Sequence, residues 1–208
     1  MERMNMNNKI FSIAVATELQ EIKTELVRKS LHFLIALTPS MAALNRPFTA
    51  VILMAGTLFY ALMETLRLSG IEVPLVSSLT CMASRSRDKD RFVLGPVTLG
   101  LGALLALLLY PSPAASIAIY AMAFGDGFAS LVGKVFGRRR PGFMMGKSVE
   151  GSMACFSAVF VTAYGVSRSF KTAFIAALTA TLAEALPLED FDNIVLPISV
   201  GFMVQFAI

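Results

Sequence analysis

The sequence predicts an all-α fold: a polytopic transmembrane helix bundle of about seven spans, preceded by an amphipathic helix at the membrane interface. Of the 208 residues, 56% are hydrophobic and only 15% are charged, whereas soluble domains are about 45–50% apolar even when glycine is counted. The charged residues also fall in clusters that separate long apolar runs. Composition and charge clustering therefore both indicate an integral membrane protein.

Residues 1–29 are predicted to form a cytoplasmic amphipathic segment. Between residues 9 and 29, apolar residues recur among charged ones, as in a helix that lies along a membrane surface. The segment is polar before the first long apolar run, which argues against a cleavable signal peptide. Its glutamates are Glu18, Glu21 and Glu25.

Residues 30–208 are predicted to form a single transmembrane catalytic domain. Several of its apolar runs are short: residues 113–124 precede Asp126 and cover only about 18 Å of a hydrocarbon core about 30 Å thick. Such a span either opens into a protein-lined cavity or belongs to a tilted or re-entrant helix without chemistry. The candidate spans are residues 30–45, 47–66, 92–110, 113–131, 151–167, 172–187 and 194–208.

The basic residues predict the topology. With the N-terminus in the cytoplasm, 15 of the 18 Lys and Arg residues fall inside and only Arg46, Arg168 and Lys171 fall outside, in agreement with the positive-inside rule. The acidic residues lie on or near the same side, so a functional site is expected at the cytoplasmic face. The net charge of +4 suggests phosphates or acidic lipids as partners and, because the basic loops are short, no nucleic acid.

Two polar groups are predicted at the cytoplasmic ends of spans. Arg28 and His32 share a helical face, with Lys29 beside them, which fits either a phosphate clamp or an interfacial anchor of basic side chains. Asp126 is an ionisable residue in an apolar segment and by default indicates function; the alternative is a helix N-cap. A carboxylate there suits Mg²⁺ bound together with substrate phosphates. Asp126 also begins a stripe of small residues that lets a neighbouring helix approach closely: Gly125, Ala129, Gly133 and Gly137.

The stretch GFMMGKSVEGS at residues 142–152 contains Gly-Lys-Ser without being a P-loop. The P-loop requires G-x-x-x-x-G-K-[ST] after a strand, and position 141 is a proline. A glycine-containing basic loop that leads into a helix instead suits an anion site. Lys147 offers a cation there, Ser148 a hydroxyl and Glu150 a carboxylate.

Further acidic residues lie at the ends of other spans. Glu64 and Arg67 are three residues apart and are expected to pair, either as a structural pair or within the site. Carboxylates in the last cytoplasmic loop suit a metal ion or complement the basic loops, the alternative being a solvated turn or a helix cap. They are Glu184, Glu189, Asp190 and Asp192, with Asn193 beside them.

The chain contains four motifs: RKxxH at 28–32, GDxxAxxxGxxxG at 125–137, KSxEGS at 147–152 and DNxxxP at 192–197. Together they resemble the dolichol kinase and phytol kinase family, and the resemblance runs from about residue 25 to the end. This family also includes a CTP-dependent diacylglycerol kinase and is distantly similar to phosphatidate cytidylyltransferases. The resemblance implies a membrane enzyme that transfers the γ-phosphate of CTP to a long-chain isoprenoid alcohol or diacylglycerol. It also implies a divalent metal, a prokaryotic inner membrane and contact with membrane lipids, and the small-residue stripe leaves a homo-oligomer open.

The resemblance also implies roles for individual residues. Asp126, Glu150 and Asp192 would be catalytic, and Asp126 and Asp192 would bind Mg²⁺ or another divalent cation. The nucleotide-binding residues would be Arg28, Lys29, His32, Gly133, Lys147, Ser148, Gly151, Ser152 and Asn193.

Two other functions use the same groups. A cytidylyltransferase would attach CMP to a phosphorylated lipid, and only the fate of the nucleotide separates it from a kinase. An ion-coupled transporter would use the intramembrane carboxylates as an ion path. The concentration of charge on one face argues against transport, because alternating access needs polar residues on both sides.

Overall fold

The computed structural model describes residues 19–20, 22–30, 32–71, 80, 91–144 and 146–208. None of these residues forms a β-strand, and most lie in helices, which confirms the predicted all-α class. The basic residues predicted for the loop before residue 91 and most of the amphipathic segment predicted over 1–29 lie outside the described residues.

Eight helices contain most of the described chain. The helical residues 19–20, 22–30 and 32–34 are called α1, and the other helices are α2 (Thr38–Leu44), α3 (Arg46–Leu68), α4 (Gly95–Leu109), α5 (Ala114–Val135), α6 (Val149–Ser167), α7 (Phe170–Glu184) and α8 (Asp192–Gln205). Short 3-10 turns occur at Ile35–Leu37, Gly142–Met144 and Glu189–Phe191.

Each predicted span coincides with a helix, the first with the end of α1 and α2 together. Of the described helices, α3, α5 and α6 are long and apolar enough to cross a membrane, and α4 is a shorter apolar helix. The membrane character of the chain is therefore supported, and the number of seven spans stays a prediction.

Three of these helices are capped at their N-terminus by the side chain of the preceding residue. Asn45 accepts a hydrogen bond from the backbone N–H of Phe48 at 3.0 Å, so a single residue suffices to turn the chain from α2 into α3. Ser148 and Ser169 cap α6 and α7 in the same way. Such caps satisfy backbone N–H groups that the first helical turn leaves without partners.

α5 is the central helix of the bundle. In its most apolar 18-residue stretch, 61% of the residues are buried, against 11% in α3 and 22% in α6. Alanines line its contacts with α7 and α8, and their small side chains let apolar helices pack closely. The completely buried ones include Ala118, Ala121, Ala123, Ala173, Ala176 and Ala180.

The charged contacts concentrate at one end of the bundle, here called the polar end. It contains the ends of α3 and α7, the starts of α4, α6 and α8, and the middle of α5, where α1 contacts it. At the opposite end the connections are short, and Arg46 donates to the carbonyl of Tyr110 at 2.8 Å. The concentration of ionisable groups at one end agrees with the pattern predicted from the sequence.

Candidate active site

Three ionisable residues form a buried group where α1 meets α5. Lys29 donates to Asp126 Oδ2, and His32 Nε2 lies 3.3 Å from the same oxygen. The three side chains are 5% exposed or less. Buried charges are costly unless they are paired, and ionisable groups inside apolar helices mark functional sites by default. This buried group, Lys29–His32–Asp126, is the centre of the candidate site.

The imidazole of His32 has a defined orientation. Its Nε2 lies 2.9 Å from the carbonyl oxygen of Met122. Because a carbonyl only accepts, Nε2 carries the hydrogen and donates it. His32 therefore fastens α1 to α5 one turn before Asp126 and leaves the ring in one tautomer.

Asp126 lies in a distorted part of α5. Residues Ala121–Asp126 form a π-helical turn, a wider turn that is frequent at functional sites. A Cβ on Gly125 would lie 2.7 Å from Val159 Cγ2, and one on Gly127 would overlap the ring of Phe33. The two glycines beside Asp126 therefore let α6 and α1 approach the carboxylate, a feature that the residue pattern GDG signals.

A second ion pair joins the loop before α6 to the end of α7. Lys147 Nζ donates to Glu184 Oε1 at 2.7 Å, and Glu184 is only 3% exposed. Burial lowers the pKa of Lys147, but the Glu184 carboxylate and the charges of Asp126 and Asp192 together raise it above its ordinary value.

Asp192 begins α8 on the same side of the site. Its partial burial, together with the nearby charge of Asp126, raises its pKa to about 7, although Lys29 and Lys147 oppose the increase. Among the described residues, no three His, Cys, Asp or Glu side chains come together as a group that could hold a metal ion. Two carboxylates nevertheless suit Mg²⁺, which is bound by one or two carboxylates together with waters and substrate phosphates.

Arg28 lies beside this site and is paired within its own helix. Its guanidinium donates to Glu25 at 2.6 Å and 3.3 Å. The remaining guanidinium hydrogens and its 21% exposed side chain leave it able to reach an anion at the polar end.

Three residues predicted to contact the nucleotide serve here to hold α5 against α6. Gly146, with a φ of +92°, makes the turn before Ser148, whose hydroxyl accepts from Gly151 N at 3.1 Å. A Cβ on Gly133 would lie 3.0 Å from that hydroxyl, and one on Gly151 would lie 2.7 Å from the carbonyl of Ala129. Because α5 and α6 pack tightly here, a nucleotide could contact Gly133, Ser148 or Gly151 only from outside the interface between the two helices.

The remaining predicted residues occupy different positions. The Glu150 carboxylate accepts from the backbone N–H of Arg139 at 3.3 Å, in the loop between α5 and α6. Asn193 donates to Thr98 Oγ1 at 3.0 Å and so ties α8 to α4. Ser152 has a buried hydroxyl without a hydrogen-bond partner among the described residues.

The pair expected between Glu64 and Arg67 is confirmed, with N–O distances of 2.7 and 2.8 Å. Glu64 is completely buried and also accepts from the backbone N–H of Val93 at 2.9 Å. The pair therefore anchors the start of α4 to the end of α3, which is a structural role.

Comparison with known proteins identifies relatives of one kind. No protein-family model matches the chain, and no solved structure matches it. The proteins named probable phytol kinase, chloroplastic, from Triticum aestivum and probable phytol kinase 1, chloroplastic, from Oryza sativa are each 30% identical over 60% and 64% of this chain. Probable phytol kinase 1, chloroplastic, from Glycine max is 27% identical over 68%.

The chain spans about half the length of the curated relatives it matches, since the aligned parts cover 46%, 47% and 53% of those proteins. The matches nevertheless indicate the same family as the four motifs in the sequence. The resemblance to the phytol kinase family is thereby confirmed, and the chain is a distant relative of the phytol kinases.

Proposed function

We propose that the protein is a membrane lipid kinase that transfers the γ-phosphate of CTP to the hydroxyl of a long-chain isoprenoid alcohol or diacylglycerol. The observation that carries this proposal is the buried Lys29–His32–Asp126 group in an apolar helix, beside Lys147. The phytol kinase relatives support an alcohol as the acceptor. The reaction takes place at the cytoplasmic face of a prokaryotic inner membrane, with the N-terminus in the cytoplasm.

The cations of the polar end suit this reaction, because phosphoryl transfer depends on positioning and on neutralising charge. An ammonium group has three N–H donors, and Lys147 uses one of them for Glu184. The others are free to bind phosphate oxygens. Arg28 offers a second contact, and Lys29 keeps the Asp126 carboxylate in place.

Asp126 and Asp192 are the residues that would hold Mg²⁺. When bound, the ion neutralises charge on the β- and γ-phosphates. Lys29 and Ser130 each donate to one oxygen of Asp126, Ser130 at 3.3 Å. Because each carboxylate oxygen can accept more than one contact, both aspartates keep the capacity to bind a cation.

An apolar groove supports a lipid as the acceptor. It lies between α5 and α6, has a volume of about 500 Å³ and is open on one side. Ligand sites are typically about 300–1,000 Å³ in volume. An aliphatic chain fits such a groove on two membrane helices, so only the hydroxyl has to reach the polar end. Its lining includes Phe124, Phe128, Val132, Ala158 and Val161.

Label transfer in purified, lipid-reconstituted protein tests the reaction. We expect radioactivity from γ-labelled CTP, and none from α-labelled CTP, to appear in phytol, geranylgeraniol, polyprenol or diacylglycerol when Mg²⁺ is present. ATP serves as the alternative donor, and phosphatidate as the acceptor of the cytidylyltransferase reaction. Label from the α position in lipid would identify a cytidylyltransferase. No labelled lipid from either donor, with folded protein, would exclude the kinase and favour transport.

Replacing Lys147 by alanine is expected to weaken nucleotide binding. Hydrogen bonds to charged groups contribute about 1.5–3 kcal/mol, so the Kd for CTP should rise at least about tenfold. Equilibrium binding of labelled CTP measures this directly. Lys171→Ala is the matched control, because Lys171 is an exposed lysine near the start of α7, at the opposite end of the bundle. Equal affinities of the two variants and the wild type would remove Lys147 from the nucleotide site.

A further inference from the structure

Two buried polar atoms at the polar end have no hydrogen-bond partner among the described residues. They are Glu184 Oε2, at the end of α7, and Ser152 Oγ, in the first turn of α6. Buried polar groups in native proteins are nearly always hydrogen-bonded, and an exception needs an explanation. The explanation offered here rests on the proposed kinase function.

The chemistry of the two atoms indicates what would satisfy them. An ionised carboxylate oxygen only accepts hydrogen bonds, whereas a serine hydroxyl both donates and accepts. A hydroxyl group that donates to Glu184 and accepts from Ser152 would satisfy both. The acceptor substrate of a lipid alcohol kinase carries such a group.

The position of Glu184 links this hydroxyl to the phosphate donor. Its other oxygen, Oε1, accepts from Lys147 at 2.7 Å, and Lys147 is the proposed phosphate-binding lysine. One ammonium group thus contacts the carboxylate and has further N–H donors for phosphate oxygens. A hydroxyl at Oε2 would therefore lie beside the phosphate that it attacks.

Ser152 lies on the side of α6 that faces the interior of the bundle, where Glu184 also lies. Cys155, three residues further along α6, is completely buried, and the charges of Glu184 and Asp126 both act on it. A Cβ on Gly125 would lie 3.2 Å from Cys155 Sγ. This face of α6 is therefore directed at the stretch of α5 that carries Asp126.

Two other carboxylates, those of Asp126 and Glu150, already accept hydrogen bonds. Both oxygens of Asp126 accept hydrogen bonds, from Lys29 and from Ser130. Glu150 accepts from the backbone of Arg139. Among the described residues, Glu184 is the carboxylate that keeps a buried oxygen without a partner.

We propose that Glu184 and Ser152 bind the hydroxyl of the lipid alcohol and that Glu184 is the catalytic base. The hydroxyl donates to Glu184 Oε2 and accepts from Ser152 Oγ. As the bond between the alcohol oxygen and the γ-phosphorus forms, the hydroxyl proton moves to Glu184. The bond between the γ-phosphorus and its bridging oxygen breaks, and its electron pair leaves with the nucleoside diphosphate.

Glu184→Gln tests the base in the full-length, reconstituted protein. Glutamine keeps the size of the side chain and an oxygen for Lys147 but cannot take up the proton. We expect kcat to fall about 10²-fold or more, with the Kd for CTP changed less than about threefold. Glu189→Gln is the control, because it neutralises a carboxylate in the exposed turn just after α7 and should leave kcat unchanged.

Ser152→Ala tests the hydroxyl site without changing a charge. We expect the KM for the alcohol, and the Kd for labelled geranylgeraniol measured without nucleotide, to rise about tenfold, the factor for one hydrogen bond of about 1.4 kcal/mol. The KM for CTP should not change. An increase in the KM for CTP alone would instead make Ser152 a nucleotide contact and overturn the proposal.

The outcomes separate this inference from the proposed function. A wild-type protein that transfers no label would refute the kinase itself. An active wild type whose Glu184→Gln variant turns over equally fast would refute only the role of Glu184. If Glu184→Gln does not fold, the alcohol affinity of the Ser152→Ala variant decides the question alone.

Discussion

Asp126→Asn is expected to reduce phosphoryl transfer by about 10²–10³-fold or more, the loss that follows removal of one electrostatic contact in a transition state. The structure adds a second expected effect. Lys29 is completely buried and donates to this carboxylate, and removing one partner of a buried ion pair costs about 3–5 kcal/mol. The variant should therefore be less stable as well as inactive, as measured by label transfer and by thermal unfolding in detergent.

A double variant separates the two effects. In Lys29→Met/Asp126→Asn no charge is left unpaired, and replacing a buried pair by uncharged groups is often neutral or stabilising. We expect its unfolding temperature to return towards that of the wild type while transfer stays absent. Transfer that returns together with stability would show that Asp126 has a purely structural role.

Glu64→Gln provides the matched stability control. Glu64 is also completely buried and paired, with Arg67, but the pair joins α3 to the start of α4. This variant should lose stability by a similar mechanism and keep its turnover per folded molecule. A comparable loss of turnover would mean that damage to any buried pair at the polar end stops the reaction.

The helices could be predicted from the sequence because apolar runs and charge clusters mark them locally. The C-terminal end of α5 is predicted less accurately. The predicted span ends at residue 131, whereas the helix continues to Val135. The apolar run itself ends before Asp126, whereas the helix passes through this residue, which pairs inside the bundle with Lys29, 97 residues away. A partner so distant in the sequence leaves no trace in local composition.

The same reason limits the prediction of the site. The sequence predicts Lys29, His32 and Asp126 as separate candidates, and the structure brings them together. Residue types and spacing do not predict this pairing, because they do not reveal contacts between distant helices. The pairing of Lys147 with Glu184, 37 residues apart, is not predictable from the sequence for the same reason.

For the glycines, function and packing produce the same pattern in a sequence. A glycine that lets a phosphate approach the backbone and one that lets a helix approach both lack a side chain for the same steric reason. The structure shows the second role for Gly133 and Gly151, where α5 and α6 touch. The packing role also serves function if this contact between α5 and α6 positions the groups that bind the nucleotide. A glycine-to-alanine substitution, which adds one methyl group, tests this.

Gly151→Ala is expected to inactivate the protein by separating α5 from α6. The new Cβ would lie 2.7 Å from the carbonyl oxygen of Ala129 and 3.3 Å from the Cα of Gly133. Backbone atoms cannot rotate away, so the helices must shift. Overpacking of this kind costs about 1–3 kcal/mol, and a displacement of about 1 Å between reacting groups can cost about 10²-fold in rate. Asp126 on α5 and Lys147 before α6 are the groups that would be displaced.

Gly165→Ala is the matched control, because it makes the same substitution in the same helix. A Cβ there would meet no atom within 4 Å. Alanine in a helix interior is about 0.5–1 kcal/mol more favourable than glycine, so this variant should unfold at a slightly higher temperature and transfer label normally. If Gly151→Ala is also stable and active, α5 and α6 can accommodate a methyl group between them. Close contact at Gly151 would then not be what positions Asp126 against Lys147.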